Sequence, residues 1–156
     1  MLRDILHPQL VRCKLDSRSQ KKALEDIAQA VNLHTPSIPA LPLFKQLVAR
    51  EQLGSTALGG GVAIPHCRSS TIESITGCLV SLNQGIGFEA PDDQSVDILF
   101  ALLVPESETS AHLDILAELA EIFSNEANLA QIRNAKDDMA LFSCFEQLSN
   151  NTAAVQ

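Results

Sequence analysis

The run from Val96 to Val104 limits the possible folds of this chain more than any other segment. Asp97 is its only polar residue, and Pro105 follows directly. An apolar run of this length, bounded by residues that break secondary structure, is typical of a β-strand whose two faces are both covered. We therefore predict that it forms the central strand of a layered α/β sheet.

Amphipathic periodicity predicts helices before and after this strand. Ser19 is placed to cap a helix that ends near Asn32, and a second helix is predicted from Pro42, in its first position, to Gln52, with Gly54 ending it. The other predicted elements are strands over 62–64, 77–83 and 86–88, a helix entered through 107–110 and ending near 124, a short helix around 129–135, and a helix over 137–148. The inward residues of the later helices are predicted to include Leu113, Leu116, Leu119, Ala120, Phe123, Met139, Phe142 and Phe145.

These elements predict one domain over residues 1–150, an α/β fold with a small mixed β-sheet flanked by helices on both faces. Residues 2–17 are predicted to be a lead-in held by a few apolar anchors, and residues 151–156 a flexible tail.

The segment from Arg50 to Arg68 carries the clearest functional signal. A loop containing Gly54 and three consecutive glycines runs into the apolar residues 62–64, and Pro65 and His66 follow at once. Proline cannot donate a hydrogen bond to a sheet, so the predicted strand ends there or lies at an edge. His66 is therefore expected at the end of a strand, facing a loop whose backbone can approach a ligand closely.

The glycines of this loop do not form a nucleotide-binding motif. Gly54 and Gly59 have the outer spacing of a P-loop, but Gly60 and Gly61 stand where its lysine and hydroxyl residue belong. A dinucleotide fingerprint fails as well, because Ile64 occupies the position of its third glycine. Glycine amides of this kind can still bind a single phosphoryl group as an anion nest.

Two of the four histidines follow predicted buried strands. His66 comes after residues 62–64 and His112 comes after the central strand, so both are expected near the same edge of the sheet. Each could instead be a structural histidine, pinned after proline or satisfied by backbone at a helix start. His7 and His34 lie in polar segments and are predicted to be surface residues without a role.

Composition excludes several classes of function. The formal net charge of −8 over 156 residues argues against nucleic acid or an anionic membrane as the main partner. No apolar run approaches the roughly 20 residues that span a bilayer, and charged residues interrupt the N-terminus where a signal peptide would be apolar. These two absences make the cytoplasm the expected location. Four scattered cysteines form neither a disulfide framework nor a zinc motif, so we expect reduced thiols and no metal.

Two blocks of this sequence resemble a known family. Gly54-Ser55-Thr56 through Ala63-Ile64-Pro65-His66 is similar to the active-site segment of phosphotransferase-system IIA proteins of the fructose, mannitol and nitrogen-regulatory group. The run 96–105, followed by His112-Leu113, resembles the second block of that family. The resemblance extends from about residue 5 to residue 148, and its details favour the nitrogen-regulatory branch.

This resemblance implies the type-2 IIA fold and a phosphocarrier function rather than a stand-alone enzyme. His66 would accept a phosphoryl group from a phosphohistidine on an HPr-like carrier (NPr), with no cofactor. His112 and Arg50 would bind the group, and Thr56 with Gly61 and other loop amides could donate to its oxygens. Regulatory partners would be proteins such as a sensor kinase or a potassium transporter, which would distinguish the phosphorylated from the unphosphorylated form.

Several alternatives stay open at this stage. The chain could be a sugar-specific IIA component that passes phosphate to a IIB domain, or a binding module that is never phosphorylated. A metal site built from His66, Cys67 and His112 is a further alternative. Cys67 also departs from the family pattern, in which a small residue follows the active histidine, and a depressed pKa at this thiol would permit redox control.

Overall fold

A computed structural model describes residues 2–155 of the chain, without the side chains of residue 3 and residues 153–155. After a 3₁₀ turn at Leu2–Asp4, it contains six strands and five helices in this range. The strands are β1 (Leu6–Leu15), β2 (Ala57–Gly59), β3 (Val62–Ala63), β4 (His66–Ser69), β5 (Thr76–Ile86) and β6 (Val96–Pro105). The helices are α1 (Gln20–His34), α2 (Ala40–Leu53), α3 (Ala111–Phe123), α4 (Glu126–Asn134) and α5 (Asp138–Val155).

The strands form one mixed sheet centred on β6. The sheet order is β1-β5-β6-β3-β2, and β4 also pairs with β6. Strand β5 is antiparallel to β6, whereas β3 and β4 are parallel to it. Every residue from Ile98 to Leu103 is fully buried, which confirms the prediction of a central strand covered on both faces.

Two groups of helices cover the two faces of this sheet. Helices α1 and α2 pack on each other, and α1 contacts β1 and β5. Helices α3, α4 and α5 pack together as a second group. On the side of this second group, the fully buried Phe100 ring of β6 packs against Phe123 of α3 and Phe145 of α5, with ring centroids 6.4 and 5.3 Å away. The predicted α/β fold with helices on both faces is confirmed.

The segment predicted to be a lead-in is in fact an edge strand. β1 runs parallel to β5, with Leu6 opposite Gly77 and Val11 opposite Leu79. Its pairing is irregular, and Lys14 adopts a positive φ of 56°. Proline and charged residues interrupt its apolar pattern, which is common in edge strands and hides them from periodicity.

Helix α1 agrees with the prediction, since the Ser19 side chain accepts a hydrogen bond from the Lys22 amide at 3.1 Å. Helix α2 begins earlier than predicted, so Pro42 lies at its third position rather than its first. Proline is still tolerated there because the amides of the first turn have no partner within the helix. The predicted strands 77–83 and 86–88 are one continuous strand, β5, that ends at Ile86.

The inward faces of the later helices were predicted only in part. Leu119, Phe123 and Phe145 are buried, but Leu113 is 57% exposed and Met139 is 60% exposed. Exposed Ala120 and half-buried Leu116 and Phe142 complete the predicted set, whereas Ile115 and Ile122 are buried in α3 instead. Helix α5 also continues past Leu148 to Val155. Flexibility of residues 151–156 stays a prediction.

The three consecutive glycines form the turn between β2 and β3. All three have positive φ, at 92°, 67° and 85° for Gly59, Gly60 and Gly61. The Gly60 amide donates to the Asp92 carboxylate at 2.8 Å, so the protein's own carboxylate engages one amide of the expected anion nest. That hydrogen bond is the main cause of the lowered pKa of Asp92.

An ion pair fastens the other side of this turn. Arg133 of α4 donates to both carboxylate oxygens of Asp97 at 2.8 Å and to the Gly60 carbonyl at 2.7 Å. A Cβ atom on Gly61 would lie 2.5 Å from Arg133 Nη2 and 2.9 Å from Asp97 Oδ1. The turn, β6 and α4 are thus joined where only glycine fits.

Replacing Gly61 by alanine is expected to destabilise the protein by about 1–3 kcal/mol, because alanine resists the positive φ and its methyl group displaces the ion pair. The measurement is the free energy of unfolding in urea. Gly87→Ala is the matched control, since a Cβ atom there meets no atom within 4 Å. Equal stability of the two variants would contradict this account of the turn.

Candidate active site

One pocket brings together His66, His112 and Arg50. Its volume is about 730 Å³, and it lies between the C-terminal half of α2, strand β4 and the start of α3. The other lining residues are Gln46, Ala49, Gln52, Leu53, Cys67, Arg68 and Val104. The lining therefore contains two arginines and two histidines but no carboxylate, in a protein whose net charge is −8. Such a pocket suits an anion.

Pro65 places His66 at a break between two strands. Strand β3 pairs with β6 as far as Ala63, and pairing resumes where His66 lies opposite Leu102. In the gap, the Pro65 carbonyl accepts a hydrogen bond from the Leu102 amide at 2.8 Å. The prediction that the strand ends before Pro65 is confirmed, but His66 begins a new strand, β4, rather than lying beyond the sheet.

The His66 ring is held through Nδ1, which lies 2.9 Å from the Ile64 carbonyl oxygen. A carbonyl oxygen can only accept, so Nδ1 carries the proton in this bond. The neutral ring then has its free lone pair on Nε2. This arrangement orients the half-buried imidazole and determines which nitrogen can act as a nucleophile.

His112 is the second residue of α3 and is half-buried. Its Nδ1 atom is buried and has no hydrogen-bond partner within residues 2–155. An unpaired buried nitrogen is energetically costly and is usually explained by function or a bound molecule. The backbone amides at this helix start are instead capped by Glu108, whose carboxylate accepts from Thr109 and Ala111 at 3.1 Å each.

Two arginines border the pocket, and neither forms an ion pair within the described part of the chain. Arg50 donates from Nη1 to the Gly54 carbonyl at 2.8 Å. Arg68 donates from Nη1 to the Glu108 carbonyl. Since both guanidinium groups bond only to neutral carbonyl oxygens in these contacts, their positive charge is not neutralised locally.

The structure does not bring Thr56 and Gly61 into this pocket. The Thr56 hydroxyl and amide both donate to the Glu51 carboxylate, the amide at 3.2 Å, and Thr56 is buried. Gly61 pairs near Ile98, whereas His66 lies opposite Leu102, so the two are separated by roughly 15 Å along the strand direction. The glycine loop is thus a structural turn away from the imidazoles.

Cys67 lines the pocket but is chemically protected. The residue is buried, and burial raises the pKa of its thiol to about 11. A raised pKa disfavours the thiolate that oxidation requires. The hypothesis of redox control through a depressed pKa at Cys67 is therefore wrong.

Sequence reasoning did not identify the other α2 residues at the site. Gln46, Ala49 and Leu53 share a helical face with Arg50, so helical spacing could have found them. Glu51 was also missed. It lies near the end of α2, five residues before Thr56, and this spacing permits a hydrogen bond between the two side chains but does not predict one. Its contacts with Thr56 could be recognised only from the structure.

The described residues offer neither a metal-ligating cluster nor a membrane-spanning helix. Among the described residues, no three histidine, cysteine, aspartate or glutamate side chains are grouped to hold a metal ion, so the alternative of a His66, Cys67 and His112 metal site has no support. No helix in the described range is both long and apolar enough to cross a membrane.

Comparisons with known proteins agree with the family resemblance seen in the sequence. The chain matches the family model for the "Phosphoenolpyruvate-dependent sugar phosphotransferase system, EIIA 2" over residues 4–148. It is 38% identical over 149 residues to a nitrogen regulatory protein of Pseudomonas aeruginosa, covering 96% of this chain and 97% of that protein. It is 35% identical over 143 residues to the nitrogen regulatory protein of Escherichia coli, covering 90% and 86%.

Solved structures agree with this match. The crystal structure of nitrogen regulatory protein IIA-Ntr from Neisseria meningitidis superimposes with a TM-score of 0.85 at 32% identity, covering 92% of this chain and 97% of that one. The solution structure of the mannitol-specific cryptic enzyme IIA CmtB from Escherichia coli has a TM-score of 0.73, covers 96% of this chain and 98% of that one, and at 19% identity supports the fold alone.

Proposed function

Because the chain belongs to the EIIA 2 family of the phosphoenolpyruvate-dependent sugar phosphotransferase system, we propose that it is a nitrogen-regulatory phosphocarrier that accepts a phosphoryl group on Nε2 of His66. The donor is a phosphohistidine on an HPr-like carrier protein. The single observation that carries this proposal is the hydrogen bond from His66 Nδ1 to the Ile64 carbonyl at 2.9 Å. It leaves the Nε2 lone pair free in a pocket that suits an anion.

In the transfer, the Nε2 lone pair of His66 forms a bond to phosphorus as the nitrogen–phosphorus bond of the carrier breaks. The departing carrier histidine, protonated on its other ring nitrogen, keeps the electrons of that bond and leaves as a neutral imidazole. The reaction needs the two nitrogens in line and little covalent chemistry from the protein, so catalysis consists of positioning and charge stabilisation.

Arg50 and His112 supply that stabilisation in this proposal. Arg50 exchanges the neutral Gly54 carbonyl for the more strongly attracting phosphoryl oxygens. His112, whose Nδ1 has no partner among the described residues, orients its ring towards the same group. The phosphoryl contacts first predicted for Thr56 and Gly61 have less support. The Thr56 hydroxyl donates to Glu51, and Gly61 lies far from His66 along the direction of β6.

Phosphorylation adds a charge of about −1.5 to −2 to this pocket, which changes how the surface around it binds other proteins. We propose that this charge regulates protein targets such as a sensor kinase or a potassium transporter. The curated relatives that are nitrogen regulatory proteins favour this output over a sugar-specific IIA component that passes phosphate to a IIB domain.

The proposal is tested by incubating the protein with phosphoenolpyruvate, Enzyme I and an HPr-type carrier. We expect one acid-labile phosphate per chain, because phosphohistidine hydrolyses in acid, and ¹⁵N NMR should place it on Nε2 of His66. Leaving out the carrier is the control and should prevent labelling. Folded protein that takes up no phosphate from competent donors, or takes it up on another residue, would overturn the proposal and favour a binding module.

A further inference from the structure

Beyond the acceptor itself, we propose that Glu51 is a positioning residue that holds His66 in its reactive tautomer through Thr56 and Ile64. The proposal deepens the phosphocarrier function and rests on it. Glu51 does not line the pocket that contains the imidazoles. It acts through a chain of hydrogen bonds that ends on the His66 ring.

The chain of hydrogen bonds begins at the C-terminal end of α2. Glu51 Oε2 accepts from the Thr56 amide at 3.2 Å, and Oε1 accepts from the Thr56 hydroxyl. The other contact of this carboxylate is weaker, from Gln20 Nε2 at 3.5 Å. Two donors on one buried residue fix both its backbone and its side chain, so the position of Thr56 depends on Glu51.

Two further bonds carry this position to the imidazole. The Thr56 carbonyl accepts from the Ile64 amide at 3.1 Å, and the Ile64 carbonyl accepts from His66 Nδ1 at 2.9 Å. The carbonyl that selects the tautomer is therefore held on one side through Thr56. On the other side it is held through Pro65, whose carbonyl bonds to Leu102 of the central strand.

These two supports differ in rigidity. Leu102 belongs to β6, whose residues 98–103 are fully buried, so its position depends little on the surface loops. Thr56 belongs to the short loop between α2 and β2. Between β3 and β4, Pro65 interrupts the regular pairing with β6 that would otherwise orient Ile64. Glu51 is the side chain that replaces this missing restraint.

Arg50 makes this role more important during the reaction. Arg50 and Glu51 are adjacent on α2, and Arg50 holds the same loop through the Gly54 carbonyl. When Arg50 turns to a phosphoryl group, that bond to Gly54 is lost. Glu51 is then the remaining side chain of α2 that holds residues 54–56 in place.

The test compares Glu51→Ala, Glu51→Gln and the control Glu89→Ala. Glu89 and Glu51 both line a second pocket, between α1 and the C-terminal end of α2, but Glu89 takes no part in the chain of bonds. The first readout is the His66 tautomer, measured by ¹⁵N NMR on unphosphorylated protein. We expect the population with hydrogen on Nδ1 to fall in Glu51→Ala, to recover largely in Glu51→Gln, which keeps an acceptor oxygen, and to be unchanged in Glu89→Ala.

The second readout is the rate of phosphate uptake from the HPr-type carrier. We expect the rate at saturating carrier to fall roughly 10–100-fold in Glu51→Ala, because misplacing a reacting atom by about 1 Å has effects of this size. The KM for the carrier should stay unchanged, since Glu51 lies outside the pocket. Unchanged tautomer and rate, or a loss in Glu89→Ala equal to that in Glu51→Ala, would overturn the proposal.

Two further comparisons keep the result interpretable. If Glu51→Ala fails to fold, Thr56→Val removes the hydroxyl contact at constant volume, and Thr56→Ser, which keeps the hydroxyl, is its control. Equal populations of the His66 tautomer in these two variants would then overturn the proposal. Failure of the phosphocarrier function itself is recognised separately, because wild-type protein would then take up no phosphate while the tautomer still responds to Glu51.

Discussion

Replacing His66 by alanine is expected to abolish phosphate uptake from the HPr-type carrier. The methyl group offers no lone pair, and apart from His112 the remaining groups of the pocket are poorly suited to replace the imidazole. The guanidinium groups of Arg50 and Arg68 are not nucleophiles at neutral pH, and burial holds the thiol of Cys67 in its protonated form. The measurement is acid-labile radioactive phosphate per chain after incubation with phosphoenolpyruvate, Enzyme I and the carrier.

The fold should survive this substitution. His66 is half-buried, and the side-chain hydrogen bond that it makes within the described residues is the one to Ile64, so the loss in unfolding free energy should be about 1 kcal/mol. His34→Ala is the matched control, because that ring stacks on His7, with centroids 4.5 Å apart, and is not among the residues lining the pocket. Phosphate on folded His66→Ala protein would assign the acceptor to a different residue, with His112 the first to examine.

The largest loss of stability is expected for Phe100→Ala, at about 3–5 kcal/mol. Phe100 is fully buried, its ring packs against Phe123 and Phe145, and a Cβ atom on Gly77 would lie only 2.6 Å from its Cζ. Removing the ring leaves a cavity at the junction of the sheet with α3 and α5. The measurement is the free energy of unfolding from urea denaturation.

Phe142→Ala provides the comparison for this core substitution. Phe142 lies on α5 as Phe145 does, but it is only partly buried against the core. The same chemical change should therefore cost clearly less there, because less apolar surface leaves water on folding. A loss at Phe142 equal to that at Phe100 would show that the aromatic cluster is not the main support of this face.

The features that sequence predicted well are those with a local physical signature. The continuous apolar run of β6 and the capping serine of α1 each depend on neighbouring residues alone. The edge strand β1 was missed because its pattern is broken by Pro8 and charged residues, and its strand state depends on pairing with β5. Tertiary contacts of this kind override local propensity.

In the candidate site, too, the features with a local signature were predicted and those that depend on tertiary contacts were missed. His66 and His112 were predicted to meet because both follow buried strands, and one pocket contains them. The glycine loop was expected to bind a phosphoryl group, but the Gly60 amide donates to Asp92, 32 residues further along the chain. A contact between such distant residues leaves no local pattern in the sequence.

The order of strands in the sheet has a consequence for synthesis of the protein. The central strand β6 pairs with β3, β4 and β5, all of which precede it in the chain, so they leave the ribosome before their common partner exists. Until then their unpaired edges could join those of other chains, and long-range pairing of this type is slow. Pro65 interrupts the edge formed by β3 and β4 and offers no amide there. The residue that places His66 therefore also weakens this edge as a template for pairing with other chains.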